Sequence, residues 1–315
     1  MNARRKLFFF GKGGGVYSTP YLLTETLTNA DNRVFGIAFN NDGSLLATAS
    51  YDNKVYVFNT SDWSLVQTLT DFNDDMFDVA FNNDGSLLAT GSRDSNVYVY
   101  NTSDWSLVQT LTNFNAINVS IAFNNDGSLL AAGSFDNKVY VFNTSDWSLV
   151  QTLTNATDSI FGVNFSSDGS LLAAASFDNV VHVYNTSDWS LAQTLTDATD
   201  DMLDVAFNND GSLLATVSRD SNVYVYNTSD WSLAQILTEA TEAARSVSFI
   251  DASNYMAVGS NTNNVYIYNT SDWSLAQTLT DATDDVFDVA FNNDGSLLAA
   301  GSFDSNVYVY RGSLK

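Results

Sequence analysis

The chain has 315 residues, 45% of them hydrophobic, with 36 acidic side chains against 12 basic ones and no cysteine. Disulfide stapling is excluded, no apolar run approaches the ~18 residues of a membrane span, and the negative charge argues against nucleic acid or an anionic membrane as partner of the main body. The charge is unevenly spread, because residues 1–15 hold four cations (Arg4, Arg5, Lys6 and Lys12) and no acid.

The arm 1–15 therefore reads as a segment separate from an acidic body. Its Arg4, Arg5 and Lys6 precede the sticky run Leu7, Phe8, Phe9 and Phe10, and Gly11 with Gly13–Gly15 reads as a flexible joint. The run Leu7–Phe10 is shorter than the roughly 7–15 apolar residues of a secretory signal, so cytoplasmic synthesis is the default expectation.

From Val16 onward a repeat takes over. The stretch Thr60–Leu65 (TSDWSL) returns unchanged at 102–107, 144–149, 186–191, 228–233 and 270–275, a period of 42 residues, and Asn precedes every copy. The second repeat serves as template. Met76–Phe81 (MFDVAF) predicts a strand and Asn82–Gly85 (NNDG) a tight turn with Gly supplying positive φ. Ser86–Ser92 predicts a second strand, Arg93–Asn96 a turn, and Val97–Tyr100 (VYVY) a third strand rich in β-formers. After the TSDW turn, Leu107–Leu111 (LVQTL) is the fourth. Four antiparallel strands per repeat of this length make a propeller blade.

First strands open near Val34, Met76, Asn118, Ile160, Met202, Ala244 and Val286, which sets seven blades. The seventh repeat reaches Lys315 without its fourth strand. Leu22–Leu27 (LLTETL) is in phase with Leu65–Leu69, so the segment 16–28 is expected to pair with Val307–Tyr310 and close the ring, leaving 311–315 as a tail. The expected fold is all-β, a seven-bladed propeller of four-stranded antiparallel blades, its two open sheet edges hidden by that closure. The sixth repeat drifts: Asp251–Asn254 replaces NNDG, and Thr262 stands where Asp52, Asp94, Asp136, Asp178, Asp220 and Asp304 stand elsewhere.

Seven in-phase repeats, six of them carrying DGSLLA(T/A), Ser, Asp and an alternating strand that ends in an aromatic, resemble the WD-repeat family over about 16–310. The resemblance implies a rigid platform for other macromolecules, usually without catalysis. In that family a hydrogen-bond network of Asp, Ser or Thr, Trp and His pins each blade. Ser50, Ser92, Ser134, Ser176, Ser218, Ser260 and Ser302 match the hydroxyl, but the Trp position holds Phe58, Tyr100, Phe142, Tyr184, Tyr226, Tyr268 and Tyr310, and the Gly-His pair is absent. The network is thus expected to be incomplete, with stability resting on apolar packing and the Asp side chains freer to face solvent.

Catalytic candidates are few. The single histidine, His182, supplies neither a metal site nor a triad, and reads as structural. NNDG lacks the leading Asp and the distal Glu of a calcium loop. The Asn-Thr-Ser triplets match glycosylation acceptors but read more simply as turns. Neither enzyme activity nor a cofactor is expected.

Carboxylate clustering between the fourth strand of one blade and the first of the next is the main binding signal. The clusters are Asp71, Asp74, Asp75 and Asp78; Asp197, Asp200, Asp201 and Asp204; and Asp281, Asp284, Asp285 and Asp288. These connections open on one face, with Asp78, Asp204 and Asp288 expected around the channel mouth. Such a face attracts a basic partner, more weakly as salt rises; solubility alone is the competing explanation. The arm is a second candidate, docking on a partner or on another copy. The expectation is a non-enzymatic protein-interaction or assembly scaffold. Two alternatives are a structural subunit of a large assembly such as a virus particle, and a lectin-like propeller stacking sugars on the TSDW tryptophans.

Overall fold

The computed structural model describes residues 19–250 and 254–314; the arm, Arg4 to Phe10 included, and residues 251–253 lie outside them. The first blade is built from β2 (Val34–Phe39), β3 (Leu45–Ser50), β4 (Lys54–Asn59) and β5 (Leu65–Leu69). Between β2 and β3, Gly43 takes φ 70° and donates its N–H to the Asn40 carbonyl at 2.9 Å, the left-handed turn that a Cβ resists. The pattern recurs as β6–β9 (76–111), β10–β13 (118–153), β14–β17 (160–195), β18–β21 (202–237) and β22–β25 (244–279), each in simple meander order.

The seventh blade completes the ring. Its inner strands β26–β28 (286–313) are joined by β1 (Thr19–Leu27) on the outside, in the order β1-β28-β27-β26. Leu22 lies opposite Arg311, Leu23 opposite Tyr310 and Leu27 opposite Val307, so the expected closure is the observed one. The last strand runs on to Ser313, opposite Thr19, so the expected tail is mostly strand. Tyr21 locks the seam. It is buried, its hydroxyl donates to the Gly295 carbonyl, and Gln277 of the sixth blade bonds its backbone N–H and C=O at 2.9 and 2.7 Å. Gly312 leaves the room, since a Cβ there would lie 2.7 Å from Tyr21 Cα.

Burial explains why the strands are apolar on both faces. One shared core takes Ala47, Ala49, Val55 and Val57 from the first blade and Met76, Val79, Leu88 and Tyr98 from the second. Equivalent cores fill the remaining gaps between blades, so each sheet packs on two neighbours.

Around the axis, the third residue of each innermost strand reads Gly36, Asp78, Ser120, Gly162, Asp204, Ser246, Asp288. Asp78, Asp204 and Asp288 accept the N–H of Ile121, Val247 and Ile37 in the following blade at 2.7, 3.0 and 2.8 Å. Ser120 and Ser246 accept those of Val163 and Val289 at 3.0 and 2.8 Å. Gly36 and Gly162 have no side chain to offer, and the Val79 and Val205 N–H groups that follow are accepted by Asp78 and Asp204 themselves at 2.7 and 2.8 Å. A Cβ on either glycine would meet Asp78 Cα at 2.6 Å or Asp204 Cα at 2.8 Å, so each glycine makes room for the acid that follows it.

The third blade carries one misfit. Asn118 is fully buried where its equivalents are Val34, Met76, Ile160, Met202, Ala244 and Val286, and both polar atoms of its carboxamide lack a partner. An unpaired buried amide costs about 1–3 kcal/mol. Asn118→Val should therefore raise the unfolding free energy by about that amount in a denaturant melt.

Candidate functional site

The face formed by the connections between blades is organised by a clamp repeated around the ring. Asp52 accepts the Tyr56 hydroxyl at 2.7 Å and the Asp31 N–H of the preceding loop at 2.8 Å. Asp94 binds Tyr98 and the Asn73 N–H, Asp220 binds Tyr224 and the Thr199 N–H, and Asp304 binds Tyr308 and the Thr283 N–H. Asp136 holds Tyr140, and in the fourth blade His182 Nε2 replaces the tyrosine, 3.2 Å from Asp178. Ser50, Ser92, Ser176 and their equivalents donate to a carbonyl of the same loop. The expectation that these Asp side chains face solvent is therefore corrected. Tyrosine four residues on, together with the loop backbone, takes over the missing partners.

Burial alone would raise these carboxyls. In Asp136, Asp178, Asp220 and Asp304 the donated hydrogen bonds outweigh it and hold the group below its ordinary value. Their stabilisation is thus present above the unfolded carboxylate range and lost as pH falls through the lower folded value. Tyr98→Phe leaves Asp94 without its hydroxyl donor and should cost on the order of 1–3 kcal/mol at neutral pH in thermal or chemical melts.

The clamped loops present nine of the twelve candidate acids. Asp71, Asp197, Asp200, Asp281 and Asp284 are exposed, and Asp74, Asp75, Asp201 and Asp285 are half-buried. Seven of the nine have local work. Asp71 and Asp197 accept the buried Tyr100 and Tyr226 hydroxyls at 3.1 and 2.9 Å, while Asp75 and Asp201 pair with Arg93 and Arg219. Asp74, Asp200 and Asp284 accept the N–H of the next residue at 2.8–2.9 Å. The face is also less uniformly acidic than its sequence clusters imply, because Arg33, Lys54, Arg93, Lys138, Arg219 and Arg245 lie on it too.

At its centre stands an aromatic hub. Phe35, Phe77, Phe161 and Phe287 converge on the axis; Phe35 lies 5.3 Å from Phe77 and 4.2 Å from Phe287, and Phe161 reaches Phe287 from across the ring at 6.1 Å. Tyr51, Phe135, Phe177 and Phe303 surround them, half-buried. Arg33, Arg219 and Arg245 stack on Phe303, Phe177 and Phe287 at 4.5, 4.6 and 5.1 Å. Burial, then the neighbouring Arg219, pushes Arg245 below its ordinary value. Going outward, the face runs from rings to guanidinium groups to carboxylates.

Asp78, Asp204 and Asp288 are not at the mouth as expected. They lie beneath this plug, inside the channel, with Asp78 and Asp204 bordering a cavity of about 260 Å³. The other end opens into a funnel of about 350 Å³ lined by Asn41, Asn83, Asn125, Asn209 and Asn293. Burial, then the Asp288 charge, raises Asp78 well above the carboxylate range and Asp204 to about 7; burial raises Asp288 to about 6. A raised folded value means the ionised form opposes folding, so this contribution weakens as pH rises through about 6–7 and recovers on acidification. Asp288→Ser keeps both acceptors, since serine does the same work at 120 and 246 and Ser246 already serves the Val289 N–H. Arg245 and the two remaining acids still face the site. The variant should be more stable than the parent at pH 8, by on the order of 2 kcal/mol, with a flatter pH profile between 5 and 8.

Two further candidates resolve into structure. The tryptophans 63, 105, 147, 189, 231 and 273 adopt φ of 58–60° and are half-buried, each packed on the core between its blade and the preceding one. They cap those cores in place of forming an exposed row. Among the described residues no group of three or more His, Cys, Asp or Glu side chains is placed to hold a metal ion.

The aromatic hub escaped sequence reading because its residues sit inside strand patterns that look like ordinary core. The signal was there in phase. Position two of the inner strand and the residue after the invariant Ser hold rings in four blades each.

A family profile described as "WD domain, G-beta repeat" matches residues 22–59, 63–101, 105–143, 147–185, 189–227 and 273–311. The longest stretch left between windows, 228–272, contains the drifted positions of the sixth repeat. A search of curated protein sequences finds no match. Each matched window begins in or beside an outer strand and ends in the third strand of the next blade, one strand out of phase with the blades themselves. The chain belongs to the WD-repeat family of β-propellers.

Proposed function

We propose that the chain is a non-enzymatic scaffold that binds a basic protein partner on the face of clamped acidic loops and aromatic hub, with the arm Arg4–Phe10 as a tether. WD-repeat propellers are typically protein-interaction scaffolds. The observation that supports the finer reading is the concentric arrangement of rings, guanidinium groups and carboxylates on one rigid surface. Aromatic side chains and arginine are the groups that dominate binding hot spots, and a surrounding belt of carboxylates steers a cationic partner. The channel acids beneath the plug are not part of this surface. The sugar-stacking alternative loses support, because the tryptophans serve the cores between blades.

The full chain should bind members of an array of lysine- and arginine-rich peptides, with affinity falling as salt rises. Combining Phe135→Ala, Phe177→Ala and Phe303→Ala should weaken the captured peptides by roughly tenfold or more, and Asp74→Asn, Asp200→Asn and Asp284→Asn should remove most of the salt dependence. Peptide binding indifferent to both sets overturns the reading. Retention on a glycan array at high salt, lost on Trp63→Ala and its five equivalents, replaces it with carbohydrate recognition.

A further inference from the structure

The rim of the disc is made of the outer strands, and it is unusually sticky. Each outer strand pairs on one side only, as β5 does with β4. A bulge separates the pairs Val57–Gln67 and Phe58–Leu65, leaving Val66 unpaired and setting two consecutive apolar side chains outward. Leu65 and Val66 are 44% and 43% exposed, and Leu107, Val108, Leu149 and Val150 match them. Leu191, Leu233 and Leu275 repeat the pattern beside alanine. Natural sheet edges are usually guarded by Lys, Pro or an inward charge. The six strands LVQTL, LAQTL and LAQIL carry none of these. Only β1 is guarded, by Pro20 (the one proline in the chain) and Glu25.

We propose that Lys6–Phe10 of one copy adds as an extra strand along one of these six unguarded edges of a second copy. The inference rests on the arm being an interaction element and adds its partner and its seat. Three observations carry it. The described chain begins at Thr19, on the rim itself, so eighteen residues leave from the disc edge with a reach of up to about 60 Å when extended. Their composition fits the seat, since Leu7–Phe10 is a β-forming apolar run and the edge offers Leu, Val and the flank of a half-buried Trp. Charge fits too. Arg4, Arg5 and Lys6 would lie near the exposed Asp62, Asp104 or Asp146, whose side chains bond only Ser64, Ser106 and Ser148 among the described residues. Pro20 removes a donor from β1, which disfavours the arm folding back on its own strand. One arm against six edges is a heterologous contact, which builds a ring where its rotation closes and an open assembly where it does not.

Sedimentation velocity of the full chain over a wide range of concentration and salt tests this. The parent should associate with rising concentration, less so at high salt. Two full-length variants should each stay monomeric, one with Phe8→Asp and Phe9→Asp, the other with Leu65→Lys, Leu107→Lys, Leu149→Lys, Leu191→Lys, Leu233→Lys and Leu275→Lys; circular dichroism melts check that both are folded. A parent monomeric throughout, or association that survives in either variant, overturns the proposal. Association abolished by the Phe135, Phe177 and Phe303 changes but not by the six Leu→Lys changes on the rim places the arm on the hub face, which overturns the rim while leaving the proposed function standing.

Discussion

Every blade of this protein is apolar on both sides, and that constraint governs the rest. A four-stranded sheet with Val55, Val57, Leu88 and their equivalents on its faces has no soluble form by itself. It needs a neighbour on each side, and the only arrangement in which every member has two is a closed circle. The borrowed outer strand follows from the same need. Without β1 the last sheet would expose Val309 and Tyr310 at the seam.

Much of this was legible in the sequence because the 42-residue period repeats local information seven times over. Turn glycines, β-branched runs and the in-phase Leu22–Leu27 point to the ring and to its closure. What could not be read are contacts that cross from one repeat to another. The clamp joins Asp94 to Asn73 twenty-one residues earlier, and the inner ring joins Asp78 to Ile121 forty-three residues later. Near-identical repeats make all such pairings look equivalent on paper. The aromatic hub was hidden for a related reason, since Phe35 and Phe161 look like core residues until their strands are set around a common axis.

The site that emerges differs from a simple acidic plate. Of the candidate acids, those in the loops are held by backbone and arginine partners, and those deepest in the chain's axis serve the blades themselves. Charge on the face is graded, with cations nearest the centre. A partner therefore meets a surface whose polarity changes over the width of a side chain, more demanding in shape and charge than net charge alone suggests.

The succession of glycine, acid and hydroxyl around the axis bears on how such a repetitive chain finds one structure. Copies this alike invite mispaired neighbours during folding, trapping rings with a blade skipped or exchanged. The axial residues act as a seating order. A Cβ at Gly36 or Gly162 would collide with the backbone of the next blade at Asp78 or Asp204, Ser246 instead bonds the Val289 N–H beside Asp288, and Asp288 accepts the backbone of the first blade across the join. A ring assembled out of turn would set a Cβ against the backbone of its neighbour or change which axial amides find an acceptor in the preceding blade. The same few atoms at the hub can thus discriminate correct from scrambled topologies that the outer surfaces treat as interchangeable.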